Sequence, residues 1–178
     1  MLHVSARIDR RFELPVRLAV AEAHFRDFRQ TLPDLPELDL TAELGPGQYR
    51  VRYRATVRGV YQVELFTDIA AHYDDKAHAL VVTALEGHEP VRSEVTLRSM
   101  KAHGRYASRL ALAGKGVTTQ VHYELAISAD LPKPQGLRLL PDKLAAMAIE
   151  KVMQGRAEAS TNAFIDRTRQ RLAPAEPA

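Results

Sequence analysis

Five tyrosines fall at alternating positions of apolar stretches, and they are the side chains of this sequence best suited to hold a small molecule. They are Tyr49, Tyr53, Tyr61, Tyr106 and Tyr123. A tyrosine brings a large apolar ring and a hydroxyl that needs a partner when it is buried. Two interpretations stand at this point. The rings fill a core with their hydroxyls at its rim, or they are the polar anchors of a ligand cavity.

An arginine ladder alternates with these residues between Gln48 and Gly59. Arg50, Arg52, Arg54 and Arg58 share one parity, so a strand would place neighbouring members about 6.6–6.8 Å apart on its outer face. Such a row can bind nucleic acid, an anionic membrane surface or an acidic protein. The alternative is a solvated face paired with acidic side chains such as Glu64. The net charge of only +3 and the lack of aromatic residues between the arginines on that outer face favour this alternative. With the ladder in solvent, replacing Arg50, Arg52 and Arg54 with Gln should leave folding and any small-molecule binding intact.

The sequence offers little else with the spacing of a catalytic or metal site. None of its seven histidines lies in an HExxH motif, and it has neither cysteine nor a Gly-x-Ser-x-Gly elbow. His122 and Glu124 share a strand face, but no third metal ligand is identifiable. Gly45-x-Gly47 and Gly114-x-Gly116 each join two strands, so hairpin turns explain them better than phosphate loops. We therefore expect no catalytic residue, metal or cofactor.

A change of hydrophobic period separates the elements that must position these side chains. Leu2 to Leu14 predicts a first strand, and Pro15 then opens a helix with Val16, Ala19, Val20 and Ala23 at helical spacing. From Asp39 to about Leu131 the period is two, which predicts an antiparallel meander of about six strands with one buried face. Val91 to Met100 is one of these predicted strands, and Gly104 marks a bulge or a turn.

The last element is a long helix from Pro141 to Leu172, rich in small residues. Its apolar stripe includes Ala148, Ile149, Val152 and Met153. Alanines facing a curved sheet leave volume that larger side chains would fill, although alanine is also the best helix former. Arg156 lies near this stripe, where it either neutralises an anionic head group or extends its charged end to solvent.

This order of elements is similar to that of the START-like superfamily, which includes polyketide cyclases and birch-pollen-allergen-like proteins (SRPBCC). The closest passages are Phe12–Val16 leading into Phe25–Phe28, the hairpin Leu44–Tyr49, and Leu137–Pro141. The resemblance implies an α+β helix-grip fold: a curved antiparallel sheet of about six to seven strands wrapped around the long C-terminal helix, with two short helices after the first strand. Members commonly bind a lipid, sterol or other hydrophobic molecule between helix and sheet, and a minority are enzymes.

We therefore expect a non-catalytic binding module for a hydrophobic or amphipathic, lipid-like small molecule, held between the sheet and the C-terminal helix. The residues expected to contact it are Tyr49, Val51, Tyr53, Tyr61, Val63, Leu65, Tyr106, Tyr123, Leu125, Ala148, Ile149, Val152, Met153 and Arg156. Two alternatives remain open. One is a cyclase- or hydrolase-like enzyme, which needs a titratable group in the same cavity. The other is an interaction surface made by the arginine ladder.

Length and composition bound the setting. The 178 residues, 46% of them hydrophobic, indicate a single globular domain, expected over residues 1–172 with a frayed tail over 173–178. The N-terminal residues lack the apolar core of a signal peptide, and no stretch is long enough to span a bilayer. We expect a cytoplasmic protein, with peripheral membrane contact as an option and nucleic acid disfavoured as a partner.

Overall fold

The computed structural model describes residues 1–57 and 60–173. Arg58 of the ladder, Gly59 and residues 174–178 of the predicted tail lie outside them. The elements, in chain order, are β1 (Leu2–Leu14), α1 (Leu18–Phe25), α2 (Phe28–Thr31), a 3₁₀ turn (Leu32–Asp34), β2 (Leu38–Gly45), β3 (Gln48–Val57), β4 (Tyr61–Asp74), β5 (Ala79–Ala84), β6 (Glu94–Val95), β7 (Ser99–Lys115), β8 (Thr118–Leu131), a second 3₁₀ turn (Gln135–Leu137) and α3 (Asp142–Leu172).

The strands form one sheet in the order β1-β8-β7-β5-β4-β3-β2, with β6 paired to β7. Neighbouring strands are antiparallel, except that β4 runs parallel to β7 over Gln62–Thr67 and Ser99–Gly104. This pairing forms because β5 is short, so that β4 and β7 meet directly beyond its end. The side chains of one sheet face pack against α3, which gives the α+β helix-grip architecture that the sequence predicts. In the described part of the chain, no helix is both long and apolar enough to cross a membrane.

The predicted strand from Val91 to Met100 is wrong in its bounds. Only Glu94 and Val95 pair there, with Lys101 and Met100, and a new strand begins at Ser99. The Thr96 hydroxyl accepts the Ser99 N–H at 3.0 Å and so closes the intervening turn. Side chains such as Thr96 compete with the strand ladder for backbone hydrogen bonds, which alternation of residue types does not reveal.

Gly104 does not mark a turn; it lies inside the long, continuous strand β7. A Cβ at this position would lie 2.7 Å from the Ser128 carbonyl oxygen and 2.9 Å from the Leu65 side chain. The glycine is therefore needed for a close approach between β7 and its neighbours, not for an unusual backbone angle.

Helix α1 buries a different face from the one predicted. Ala21, His24 and Phe25 are buried, whereas Val20 is 49% exposed and Ala19 faces solvent. The helix starts at Leu18 rather than directly after Pro15, and it packs across β7. An eight-residue helix with apolar residues on several sides carries no clear stripe from which its buried face can be deduced.

A buried polar cluster, the His24–Asp34 cluster, ties α1 to the C-terminal part of α3. The Asp34 carboxylate lies 3.0 Å from His24 Nε2, accepts a hydrogen bond from Arg171 Nε at 2.6 Å, and contacts the Thr168 hydroxyl at 3.3 Å. Because Asp34 ends the first 3₁₀ turn, these bonds fix the direction in which the chain continues through Leu35 towards β2.

Helix α3 lies against one edge of the sheet. Glu150 Oε1 accepts the Ser5 N–H at 3.2 Å, and Gln154 Oε1 accepts the Arg7 N–H at 3.1 Å while its amide donates to the Arg7 carbonyl at 2.9 Å. β1 is the edge strand, so these contacts cover backbone groups that would otherwise remain unpaired. The opposite flank of α3 faces β3 across the cavity described next.

Candidate functional site

An apolar cavity of about 150 Å³ lies between α3 and the concave face of the sheet. Its lining residues come from both hydrophobic clusters of the core, and Met153 packs against both clusters. The wall is formed by β3, β4, β7, β8 and α3, together with Ala6 of β1 and with Leu35, Pro36 and Leu38, which follow the first 3₁₀ turn. The cavity therefore occupies the place where the helix leaves the sheet incompletely filled.

Ten of the fourteen residues expected to contact a ligand line this cavity. Strand alternation turns six of them inward, one from β3 and five from β4, β7 and β8, and α3 contributes the other four from the opposite side of the cavity. They are Tyr53, Val63, Leu65, Tyr106, Tyr123, Leu125, Ile149, Val152, Met153 and Arg156. Their common feature is that each lies on the inward face of its strand or on the flank of α3 that is not bonded to β1.

The other four expected residues lie elsewhere. Tyr49 packs against Phe28, with ring centroids 5.7 Å apart, and Val51 is buried in the core below it. Tyr61 lies at the border of the second hydrophobic cluster, where its hydroxyl donates to the Ser99 carbonyl at 3.2 Å. Ala148 is exposed on α3 because the bonds of Glu150 and Gln154 to β1 turn its side of the helix to solvent.

Two tyrosine hydroxyls meet at the wall of the cavity. Tyr106 Oη and Tyr123 Oη are 3.2 Å apart. Burial raises the pKa of Tyr106 and raises that of Tyr123 well above its ordinary value, and the neighbouring Tyr106 hydroxyl adds to the shift of Tyr123. Both phenols are therefore neutral at physiological pH and act as hydrogen-bonding groups in an otherwise apolar wall.

A second polar group lies on the side of the cavity facing β3. Arg156 donates to the Thr56 carbonyl and lies 3.6 Å from Glu37 Oε1. The Tyr53 hydroxyl is buried without a partner in hydrogen-bond geometry among the described residues. Burial, and then the nearby Glu37 carboxylate, raise the pKa of Tyr53. The charge of Arg156 is thus already balanced by Glu37, a pairing that the sequence did not indicate.

Several lining residues were not expected from the sequence. Leu35, Pro36 and Leu38 close one side, and the further unexpected lining residues include Met100, Thr67, Ser160 and Thr161. Thr67 was predictable from strand alternation, since it follows Val63 and Leu65 at every second position and so lies on the same face of β4. The loop segment carries no such signal, because the buried His24–Asp34 cluster determines its course.

Among the described residues, the acid–base side chains of the lining are tyrosines. None of the described residues that line the cavity is Asp, Glu or His.

A possible metal-binding cluster lies on the outer face of the sheet. His122 and Glu124 lie there, as expected, and β1 supplies the third potential ligand that the sequence did not identify. Ligand atoms of Asp9, His122 and Glu124 lie within 4.8 Å of one another. Asp9 and Glu124 are exposed, and the 2.8 Å contact of Asp9 with His122 accounts for this cluster as a surface pair.

The arginine ladder is paired with acidic side chains. Arg50 binds Asp68 through two hydrogen bonds of 2.6 and 2.8 Å. Arg52 lies 3.3 Å from Asp39 and 3.5 Å from Glu64, and Arg54 lies 2.8 Å from Asp39. The pairing with Glu64 agrees with the prediction, whereas the expectation that the whole ladder faces solvent is wrong for Arg50, because the buried Asp68 and the Glu89 carbonyl hold its guanidinium.

Comparison with known proteins identifies the fold. No protein-family model and no curated protein matches the sequence. Among solved structures, the chain is similar to the Zhui aromatase/cyclase from Streptomyces sp. R1128 (TM-score 0.59, 14% identity, covering 98% of this chain and 99% of that one). It is also similar to TTHA0849 from Thermus thermophilus (0.53, 20%, 92% and 96%) and to a START superfamily protein from Mycobacterium smegmatis (0.52, 12%, 93% and 96%).

These likenesses extend over nearly the whole length of each chain. The protein therefore has the START-like, polyketide-cyclase-like helix-grip fold, as its order of elements predicts. At these identities the comparisons define the fold, and the function has to be argued from the cavity itself.

Proposed function

We propose that the protein is a binding module for a hydrophobic small molecule, which it holds in the cavity between α3 and the sheet. The observation that carries the proposal is an apolar cavity in the described core, lined by strands of the concave sheet face on one side and by α3 on the other. Apolar surface removed from water stabilises a complex by about 25 cal/mol per Å². A ligand with an apolar body is the occupant that this wall favours.

Binding without catalysis is the better supported form of this proposal. Proton-transfer catalysis is most efficient when the group involved has a pKa near the working pH. The described lining offers only tyrosines and Arg156 as titratable groups, and burial shifts the pKa of each lining tyrosine upward, away from neutrality. The pairing of Arg50, Arg52 and Arg54 with acidic side chains likewise reduces the attraction of the outer face for polyanions.

Methyl-labelled protein provides the test. Toluene, naphthalene and decanoate are titrated separately while the methyl NMR signals of Val63, Leu125 and Ile149 are followed, with those of the exposed Leu139 and Val117 as internal controls. We expect at least one compound to cause saturable shifts of the cavity methyls and none at the controls. Shifts that do not saturate, or equal shifts in both sets, would contradict binding in the cavity.

A further inference from the structure

The size and the polar groups of the cavity restrict its ligand further, and this inference rests on the proposed function. We propose that the cavity takes a compact, neutral, single-ring aromatic molecule with one hydroxyl or carbonyl oxygen, which hydrogen-bonds to the Tyr106–Tyr123 pair. A long-chain lipid or a sterol exceeds the space that the cavity offers.

Volume is the first argument. Pockets for drug-sized ligands typically enclose ~300–1,000 Å³. The cavity here measures about 150 Å³. An engineered apolar cavity of ~150 Å³ in another protein stays dry and binds benzene. Expansion of the wall would have to displace Leu125, which is buried in the first core cluster, and Leu65 and Met153, which pack against the clusters. The space therefore matches one ring with a short substituent.

Charge is the second argument. A carboxylate transferred into an apolar site without a cationic partner is strongly disfavoured. The described lining contains one cationic side chain, Arg156, and it already bonds the Thr56 carbonyl and faces Glu37. An anionic head group would compete with Glu37 for the guanidinium, so the attraction of Arg156 for a second carboxylate is reduced. The cavity consequently favours a neutral ligand, in contrast to the anionic head group that the position of Arg156 in the sequence suggests.

The tyrosine pair supplies the third argument. Two phenol hydroxyls carry two donor hydrogens, and the bond between Tyr106 and Tyr123 uses only one of them. One donor and several lone pairs therefore remain for an oxygen atom in the cavity. A ligand hydroxyl or carbonyl oxygen satisfies this donor, whereas a pure hydrocarbon leaves it unpaired.

A matched pair of probes, toluene and para-cresol, isolates the hydroxyl, and palmitate tests the size limit. Their affinities are measured by calorimetric or NMR titration of the wild-type protein and of the double variant Tyr106→Phe/Tyr123→Phe. Tyr49→Phe is the control, because it removes a hydroxyl from the same sheet outside the cavity. We expect para-cresol to bind the wild type and Tyr49→Phe at least as tightly as toluene does, and palmitate to bind neither protein in the cavity.

In the double variant we expect the affinity for para-cresol, relative to toluene, to fall about tenfold, because the buried ligand hydroxyl loses its partners. Each single variant keeps one hydroxyl and should give an intermediate ratio, so the single variants carry the test if the double variant does not fold. A ratio that is the same in all variants, or palmitate bound more tightly than para-cresol, overturns the inference but leaves the proposed function standing. Failure of every probe to bind overturns both.

Discussion

Arg50 lies on the outer face of the sheet, yet its guanidinium is largely covered. Its side chain is 21% exposed, and it makes two hydrogen bonds to Asp68, which is only 3% exposed, and a third to the Glu89 carbonyl. The chain after β5 passes over this pair, and the Val91 N–H is bonded to His103 Nδ1 beside it. Arg50 of the arginine ladder thus forms a structural ion pair, whereas Arg54 remains near the surface.

This difference predicts unequal effects for two identical substitutions. Arg50→Gln should lower the free energy of unfolding by about 2–4 kcal/mol, because it leaves the carboxylate of Asp68 buried without its cationic partner. Arg54→Gln should change it by less than about 1 kcal/mol, because Arg54 is 56% exposed and surface pairs contribute little. Urea denaturation of both variants measures the two values. Equal losses would contradict this assignment.

Helix α1, the first 3₁₀ turn and the end of α3 are held together by the His24–Asp34 cluster. The cluster has a direct consequence for the cavity, since Leu35 and Pro36, which follow Asp34 in the chain, form part of its wall.

Two histidines have lowered pKa values. Burial lowers the pKa of His24, although Asp34 opposes this shift. Burial also lowers the pKa of His103 beside Asp68. Both imidazoles are therefore favoured in their neutral form in the folded protein.

The sign of the pH dependence follows from these two shifts. In the unfolded chain a histidine titrates near its ordinary value of 6.5. Below that pH the unfolded state binds more protons than the folded state, so the free energy of unfolding should decrease as the pH falls from 6.5 through the lowered values. Above 6.5 these residues should contribute no slope. Glu22, whose pKa is lowered chiefly by its hydrogen bond with His78, should act only below 4.5.

Chemical denaturation at a series of pH values between about 5 and 8 measures this slope. We expect the His24→Gln/His103→Gln variant to be less stable than the wild type but flatter in its pH dependence over this range. A wild-type slope that persists unchanged in the variant would show that other groups are responsible.

The helices and strands were predictable from the sequence where apolar residues recur at a regular spacing. Alternation predicted β1, β3, β4 and β8 and turned Val63, Tyr106 and Leu125 to the correct face. The rotation of α3 was not predictable, because alanines occur all around this helix and give it no strong apolar stripe. Its bonds to Ser5 and Arg7, residues far away in the sequence, determine that Ala157 is buried and Ala148 is exposed.

For the molecule as a whole, the sequence indicated a sheet wrapped around a helix but not how much space remains between them. The amount of space depends on how Ile149 and Met153 pack against Leu65 and Leu125, which no periodicity encodes. The expectation of a lipid-like ligand came from the resemblance alone. The cavity volume and the pairing of Arg156 with Glu37 instead favour a smaller, neutral molecule.

Native mass spectrometry of protein purified from its own host tests the central claim most directly, because it detects a retained ligand whatever its chemical identity. Three proteins are compared: the wild type, Ala157→Leu, which fills the cavity, and Ala148→Leu, which adds the same side chain to an exposed position of the same helix. Circular dichroism first establishes that all three are folded. We predict that the wild type and Ala148→Leu carry the additional mass of one small molecule and that Ala157→Leu does not. A wild-type protein at its bare mass, or an additional mass equally present in Ala157→Leu, would contradict a ligand site in this cavity.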